Sequence, residues 1–414
     1  MSYAIDFDPR QIDGLLAYYD ASEMGGVVLA HDRGVGAGHP TKLDSGETWT
    51  GNLAHWLKTD KGYQAAGTDF GGRQITFQSP FDPHCVRFSF DHIGVDTYIY
   101  FRYHDADNCF WWSPVDGGLY KRVAGVQTGI TSNYSTPHND GSLAVSLRGA
   151  DIRIERTGAP DVTVTDADLH DKSGYGFGTR QPDGNPIITN IRLETVQPDN
   201  ETQLVQLWPD LSGNAHHLAQ ADQTLAPTYR CVNPSPIPNG KPFISFERAE
   251  EWLGVDVGGK FDMQICTLLT VYKNIGANSP VGEEGRILGV ENQVRAGGLI
   301  LLSTSTTNKR AVLHVASGDM DGGVADSHWG SLGLTRAEGM SNLWEDGVLT
   351  TSAAHPVVQV RSQRLLTVGP GSSGLHVGFV NGIGVTLSLV YDRALSHQEM
   401  DVLYRWYSAK WGTP

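Results

Sequence analysis

The chain has 414 residues, too many for one core, since domains usually hold about 100–200 residues and single hydrophobic cores stop growing near 250–300. Its hydrophobic fraction of 39% is ordinary, and 49 Gly with 20 Pro supply the turns that short antiparallel strands need, so an all-β chain of two or three domains is predicted. A net charge of −15 repels phosphate backbones and excludes a nucleic-acid partner, and no apolar run approaches the roughly 20 residues that a membrane helix requires, which excludes membrane insertion by a helix.

At the start, Met1-Ser-Tyr-Ala-Ile-Asp-Phe-Asp-Pro9 has neither a basic nor an apolar leader region, which predicts a chain made in a cytoplasm without a secretory signal. Gly14-Leu-Leu-Ala-Tyr-Tyr-Asp-Ala-Ser22 is the first strand-like run. From about 41 to 197 a full series of strands follows: Val86–Phe90, Thr97–Tyr103, Gly118–Val123, Ser142–Leu147, Asp151–Glu155 and Ile187–Leu193, divided by turn clusters such as Asp105-Ala-Asp-Asn108 and Asp116-Gly-Gly118. The run Ser173-Gly-Tyr-Gly-Phe-Gly-Thr179 lies just before the last of them. The four cysteines, at 85, 109, 231 and 266, have no C-x-x-C spacing and are predicted to be buried free thiols.

Within this series, a hairpin turning at Asp105–Asn108 puts Arg102 nearly opposite Trp111 and Phe101 nearly opposite Trp112, and alternate residues share a face. With Arg102, His104 and Trp111 outward, the hairpin presents a ring for a pyranose face beside groups that bond hydroxyls. The plainer reading of the same residues is a surface ladder with no ligand.

Further on, Trp208-Pro-Asp-Leu-Ser-Gly-Asn214, Ala226-Pro-Thr-Tyr229 and Asn239-Gly-Lys-Pro-Phe-Ile-Ser-Phe246 are short β stretches. His216-His217 is predicted to be a solvated pair whose adjacent side chains point apart, against joint metal ligation. Glu247, Glu250 and Glu251 are the nearest acidic cluster but read as a loop at a strand end. Ser327-His-Trp-Gly330 is a Gly-flanked loop in which Trp329 is a candidate exposed platform, or else a ring tucked over the rim. The chain ends with an apolar strand, Leu387–Leu395, and Ser396-His-Gln-Glu399, a capping box opening a helix whose Met400, Leu403, Trp406, Tyr407 and Lys410 recur at helical spacing.

The order from Trp208 to the capped helix resembles the concanavalin A-like lectin/glucanase superfamily in its laminin-G-like jelly-roll branch. That branch usually opens with a strand of the type G-L-x-A-W-Y-D-A-S shortly before a W-x-D-x-S-G turn; here Gly14–Ser22 matches it but lies far before Trp208. The resemblance therefore implies two antiparallel jelly-roll β-sandwiches, one inserted into the other, with a short C-terminal α-helix. The outer one covers 10–40 plus 198–414 and the inserted one 41–197, whose closing strands look like a second jelly roll of the same kind.

Jelly rolls of this type often hold calcium, for which Asp105 and Asp107 in one turn and Asp319 and Asp321 in another are the weak candidates; otherwise no cofactor is expected. Glucanases of the superfamily carry an E-x-D-x-E strand because glycoside cleavage needs paired carboxylates, and no such string occurs here, nor a G-x-S-x-G elbow, an H-E-x-x-H helix or a phosphate loop. The expectation is a non-enzymatic virion protein, most like phage minor tail proteins that carry such jelly rolls. It would present lectin-like domains to a cell-surface polysaccharide, meet other virion proteins and form a homo-oligomer, with a trimer among the options. The alternatives are a polysaccharide-active glycoside hydrolase or lyase and a bacterial surface lectin.

Overall fold

The computed structural model describes residues 7–66, 73–79, 85–94, 97–113, 117–131, 140–179, 186–196, 204–230, 241–248, 250–258, 261–274, 284–291, 298–304, 309–313, 318–322, 329–337, 339–354, 365–369 and 382–413. Among them the strands form four antiparallel sheets, and the chain divides into two compact units, 1–24 with 198–414, and 25–197. The fold is all-β apart from the C-terminal helix and a few single 3₁₀ turns. No helix among the described residues is long and apolar enough to cross a membrane.

One expected boundary moves. The division placed after residue 40 falls instead at 24/25, because Val28–Asp32 pairs with Ile187–Thr195, setting Ala30 opposite Leu193. Leu29 and Ala30 are buried on that strand, and the Gly26 amide donates to the Thr195 carbonyl at 2.9 Å.

In the first unit Leu15–Asp20 pairs with Ile383–Tyr391, Tyr18 lying opposite Leu389. The latter strand also pairs with Cys266–Asn274 and Phe243–Phe246, and all of its residues are buried. Both faces of this sheet are covered. On one, Phe246, Leu268 and Val385 meet Leu253, Val290 and Leu366 of the second sheet; on the other, Leu269, Leu387 and Leu389 meet the helix His397–Trp411. That double coverage makes the strand read as a nearly continuous apolar run.

The helix starts where the Ser396 side chain accepts the Glu399 amide and the Glu399 side chain accepts the Ser396 amide. It stops at Gly412, whose φ of 67° is left-handed and costs a glycine little. Its buried face is Met400, Leu403, Trp406, Tyr407 and Trp411, while Lys410 reaches over the Trp406 ring and donates to the buried Asp20 carboxylate at 2.5 Å.

The Trp208–Asn214 turn works as a clamp on the opening strand. Asp210 Oδ1 accepts the Tyr18 and Ser212 amides, both at 2.9 Å, and Oδ2 accepts the Ser212 hydroxyl at 2.7 Å and the His216 amide at 3.0 Å. Asn214 Nδ2 donates to the carbonyls of Leu15 and Leu16 at 2.9 and 3.0 Å. The expectation of solvated histidines is corrected here: His216 and His217 are buried, His216 Nδ1 bonding the Leu16 carbonyl and His217 Nδ1 accepting the Asp210 amide at 2.9 Å. Buried backbone groups must find partners, and the two rings supply them: His217 accepts the Asp210 amide and His216 donates to the Leu16 carbonyl.

The second unit is a sandwich of a seven-stranded and an eight-stranded sheet. Its interior is aromatic, with Phe177 lying 4.9 Å from Trp56, 5.4 Å from Trp49 and 5.6 Å from Phe90 by ring centres. Cys85 and Cys109 are buried free thiols in this unit and Cys266 in the other; Cys231 lies outside the described residues. Burial pushes the Cys109 thiol up to about 11, so it is protonated at neutral pH.

Candidate functional site

The predicted hairpin exists as Thr97–Asp105 paired with Asn108–Ser113, but its register differs from the one the turn implies. Asp105 pairs with Asn108, whereas the next regular pair is Phe101 with Phe110, so three residues on one strand face only Cys109 on the other. The irregularity centres on Arg102, whose φ of 45° is left-handed and uncommon for a non-glycine residue.

That bulge removes Arg102 from the surface, which corrects its assignment as an outward sugar ligand. Arg102 is buried, lies 5.4 Å from the Phe110 ring, and donates through Nη1 to the Asp166 carbonyl at 2.5 Å and through Nη2 to the Gly149 carbonyl at 2.6 Å. Burial lowers its pKa to about 10, which still leaves it charged at neutral pH. It is a cross-link beneath the face, holding loops that the backbone alone leaves unsatisfied.

Beyond the bulge the outer face is regular, and Trp111 pairs with Tyr100 rather than Arg102. On its other side Trp111 pairs with Tyr120 of the strand Gly118–Val123. The rings of Trp111 and Tyr120 are stacked, 5.5 Å apart and 17° from parallel, and the Arg122 guanidinium lies 5.6 Å from the Trp111 ring centre. Arg122 Nη1 donates to the Ala106 carbonyl at 2.9 Å, which ties the hairpin turn to this stack. Tyr103 stands edge-on to Tyr100 at 6.3 Å.

The row continues as small residues. Tyr100 lies opposite Gly176, which lies opposite Thr76, and Tyr120 lies opposite Gly129. Tyr175 and Phe177 point into the core, so the glycines of Gly174-Tyr-Gly-Phe-Gly178 face outward. A Cβ at Gly176 would sit 2.2 Å from the Ile75 carbonyl oxygen, so close backbone approach demands glycine there. Three half-buried rings on three adjacent strands therefore stand beside a glycine floor on one sheet face. With strands about 4.8 Å apart, the row runs for about 10 Å, the scale of a short oligosaccharide.

The other predicted residues fall elsewhere. His104 is exposed at the hairpin tip, 3.8 Å from the Asp105 carboxylate, beside the row and outside it. Trp329 is corrected as an exposed platform: it is 8% exposed, in the core between sheet and helix, and edge-on to Phe243 at 5.3 Å. Asp105 accepts the Asp107 amide at 2.8 Å and Asn108 Nδ2 at 3.0 Å, the bonds of a self-satisfied turn, and they hold its carboxyl below the usual range. Asp319 and Asp321 sit on a strand, Gly318–Asp321, and not in the expected turn; their side chains lie outside the described residues. No group of three or more potential metal ligands occurs among the described residues.

Of the acidic cluster, Glu251 is buried and accepts the Arg248 Nε at 2.6 Å and the Glu247 amide at 2.5 Å, while Glu247 pairs with Arg230. These carboxylates close a turn. Tyr100, Tyr120 and Arg122 were the residues that sequence reading missed; alternation along the Asp116-Gly-Gly118 hairpin would have placed Tyr120 and Arg122 beside Trp111.

No protein-family model matches the chain, and no curated protein does. Among solved structures it is similar to the carbohydrate-binding module CBM66 from Bacillus subtilis, at 15% identity and a TM-score of 0.29 over 36% of this chain and 95% of that one. It is similar also to the Ruminococcus gnavus IT-sialidase CBM40 bound to α2,3-sialyllactose, at 16% identity and a TM-score of 0.31 over 39% of this chain and 97% of that one. A third is the binding domain of botulinum neurotoxin serotype D/C, at 12% identity and a TM-score of 0.34 over 49% of this chain and 53% of that one.

Proposed function

We propose that the unit 25–197 is a non-catalytic glycan-binding module, and that the row Tyr100, Trp111 and Tyr120 is its platform. The observation that carries this reading is the row itself, three partly exposed rings in register on adjacent strands, with a guanidinium over the middle ring and a glycine beside each end. Such rings gain by contact with the apolar faces of sugars, and the neighbouring Arg122 and Gln127 offer donors and an acceptor to hydroxyls. His104, at the hairpin tip, is placed to meet the end of a longer chain.

A shallow, open face binds weakly per site, so useful attachment requires several copies. This agrees with the role the opening-strand and turn resemblance implies, a phage virion component of the minor-tail type, assembled as a symmetric homo-oligomer with other virion proteins and presented to a cell-surface polysaccharide. Binding of this kind needs no cofactor.

The test is a glycan array probed with the full chain and with Trp111→Ala and Tyr120→Ala. Both variants should lose attachment while keeping the unit's unfolding transition. Release of reducing ends from a cell-wall polysaccharide, abolished by replacing a single carboxylate, would replace this reading with a hydrolase.

A further inference from the structure

The outer face of the eight-stranded sheet in the same unit carries a groove of about 630 Å³ that the aromatic row does not touch. Its floor is small: Ser89 lies opposite Ala144 on one neighbouring strand and opposite Arg192 on the other. Charged side chains are held around it. Arg87 Nε donates to Glu155 at 2.8 Å and its Nη1 lies 3.6 Å from Glu194, to which Arg192 Nη2 also pairs at 2.9 Å. Asp91 accepts the Ser142 hydroxyl at 2.5 Å and Asn190 Nδ2 at 2.7 Å.

Asn190 reaches Asp91 from a left-handed backbone, φ 53°, at a register break in the strand Ile187–Thr195. Non-glycine residues in that region carry strain, and such positions concentrate at binding sites. Arg33 also lines the groove, is exposed, and its guanidinium has no hydrogen-bond or ion-pair partner among the described residues. The groove thus combines a preordered network of amide, hydroxyl and carboxylate groups with one guanidinium left to pair.

We infer that this groove is a second saccharide site, selective for sugars that bear a carboxylate. Arg33 takes the carboxylate through the two parallel N–H donors of its planar fork, and Asp91, Asn190 and Arg192 bond the ring hydroxyls. No exposed Phe, Tyr or Trp ring lines it among the described residues, so recognition rests on directed hydrogen bonds rather than on a stacking platform, unlike the row on the other sheet. The inference stands apart from the aromatic platform and goes beyond it.

The test is calorimetric titration of the full chain with uronate and sialic-acid-terminated oligosaccharides, their methyl esters, a sulfated oligosaccharide and inorganic phosphate. At least one carboxylated sugar should bind tenfold or more tightly than its ester. Arg33→Gln should remove that tenfold preference, and Ser89→Arg, which fills the floor, should remove binding altogether. Raised salt should weaken the carboxylated sugar more than its ester. The inference is overturned if no carboxylated sugar binds, if ester and acid bind alike, or if phosphate or the sulfated sugar binds as tightly as the acid. It is also overturned if Trp111→Ala, and not Arg33→Gln, abolishes the preference.

Discussion

The two units use their sheets differently. In the unit built from 1–24 and 198–414, the sheet containing Ile383–Tyr391 is buried on one face by a second sheet and on the other by the C-terminal helix. In the unit 25–197, the seven-stranded sheet keeps Phe101, Phe110 and Trp112 inward and leaves Tyr100, Trp111 and Tyr120 half-exposed on its outer face. A sheet covered on both sides can only be a scaffold, whereas a sheet with one open face can bind. If recognition lies on the open face of the second unit, as proposed, substitutions should separate stability from binding.

The largest expected effect lies under the helix. Trp406→Ala should cost the first unit about 3–5 kcal/mol, the usual loss for a truncated buried aromatic, with the second unit's transition unmoved in denaturant titration. A loss below about 1 kcal/mol would mean that the helix does not cover the sheet in solution, and the contrast would fail.

Next comes acid. Burial lowers the His217 imidazole to about 4, and its Nδ1 accepts the Asp210 amide, so the fold holds it neutral. The unfolded chain protonates first, near the ordinary 6.5; stability therefore falls as pH drops from about 6.5 to about 4 and then levels, by about 3 kcal/mol in all. His217→Asn, which keeps an acceptor, should flatten this slope in melts followed against pH. The Glu399 carboxyl, held at about 2 chiefly by its hydrogen bond to Arg393, contributes stability above the ordinary 4.5 that is lost only between about 4.5 and 2, a separate and lower window.

Smaller again is the buried cross-link beneath the binding face. Arg102→Met should cost the second unit about 1–3 kcal/mol, because carbonyls of Gly149 and Asp166 lose their donor, while glycan attachment persists at temperatures where the unit is folded. Attachment lost without a change in stability would return Arg102 to the sugar-binding set. The smallest stability effect belongs to Trp111→Ala, under about 1 kcal/mol for a half-exposed ring, and it should abolish attachment; chemical denaturation beside the array separates the two.

The alternating runs, the turn clusters and the Ser396–Glu399 capping box made the all-β class and the C-terminal helix legible in the sequence alone, because strand and cap signals are local. The match of Gly14–Ser22 to an opening strand was equally readable, and the structure pairs that segment with Ile383–Tyr391. Alternation made it legible that Trp111 and Trp112 point to opposite faces, and the structure decides which is which by burying Trp112. What local signals could not decide was the outcome of long-range competition. Arg102 turns inward because carbonyls from residues 149 and 166 converge on it, and no short-range pattern announces a bulge that puts three residues against one. Trp329 and the His216–His217 pair look like turn residues by their neighbours, yet distant strands bury them. Nearness in sequence groups residues 28–32 with the opening strand, and only the pairing of Val28–Asp32 with a segment some 160 residues later, Ile187–Thr195, places it in the other unit. Strand propensity is written along the chain, whereas partner, register and the covered face are set by which distant surfaces compete best for burial.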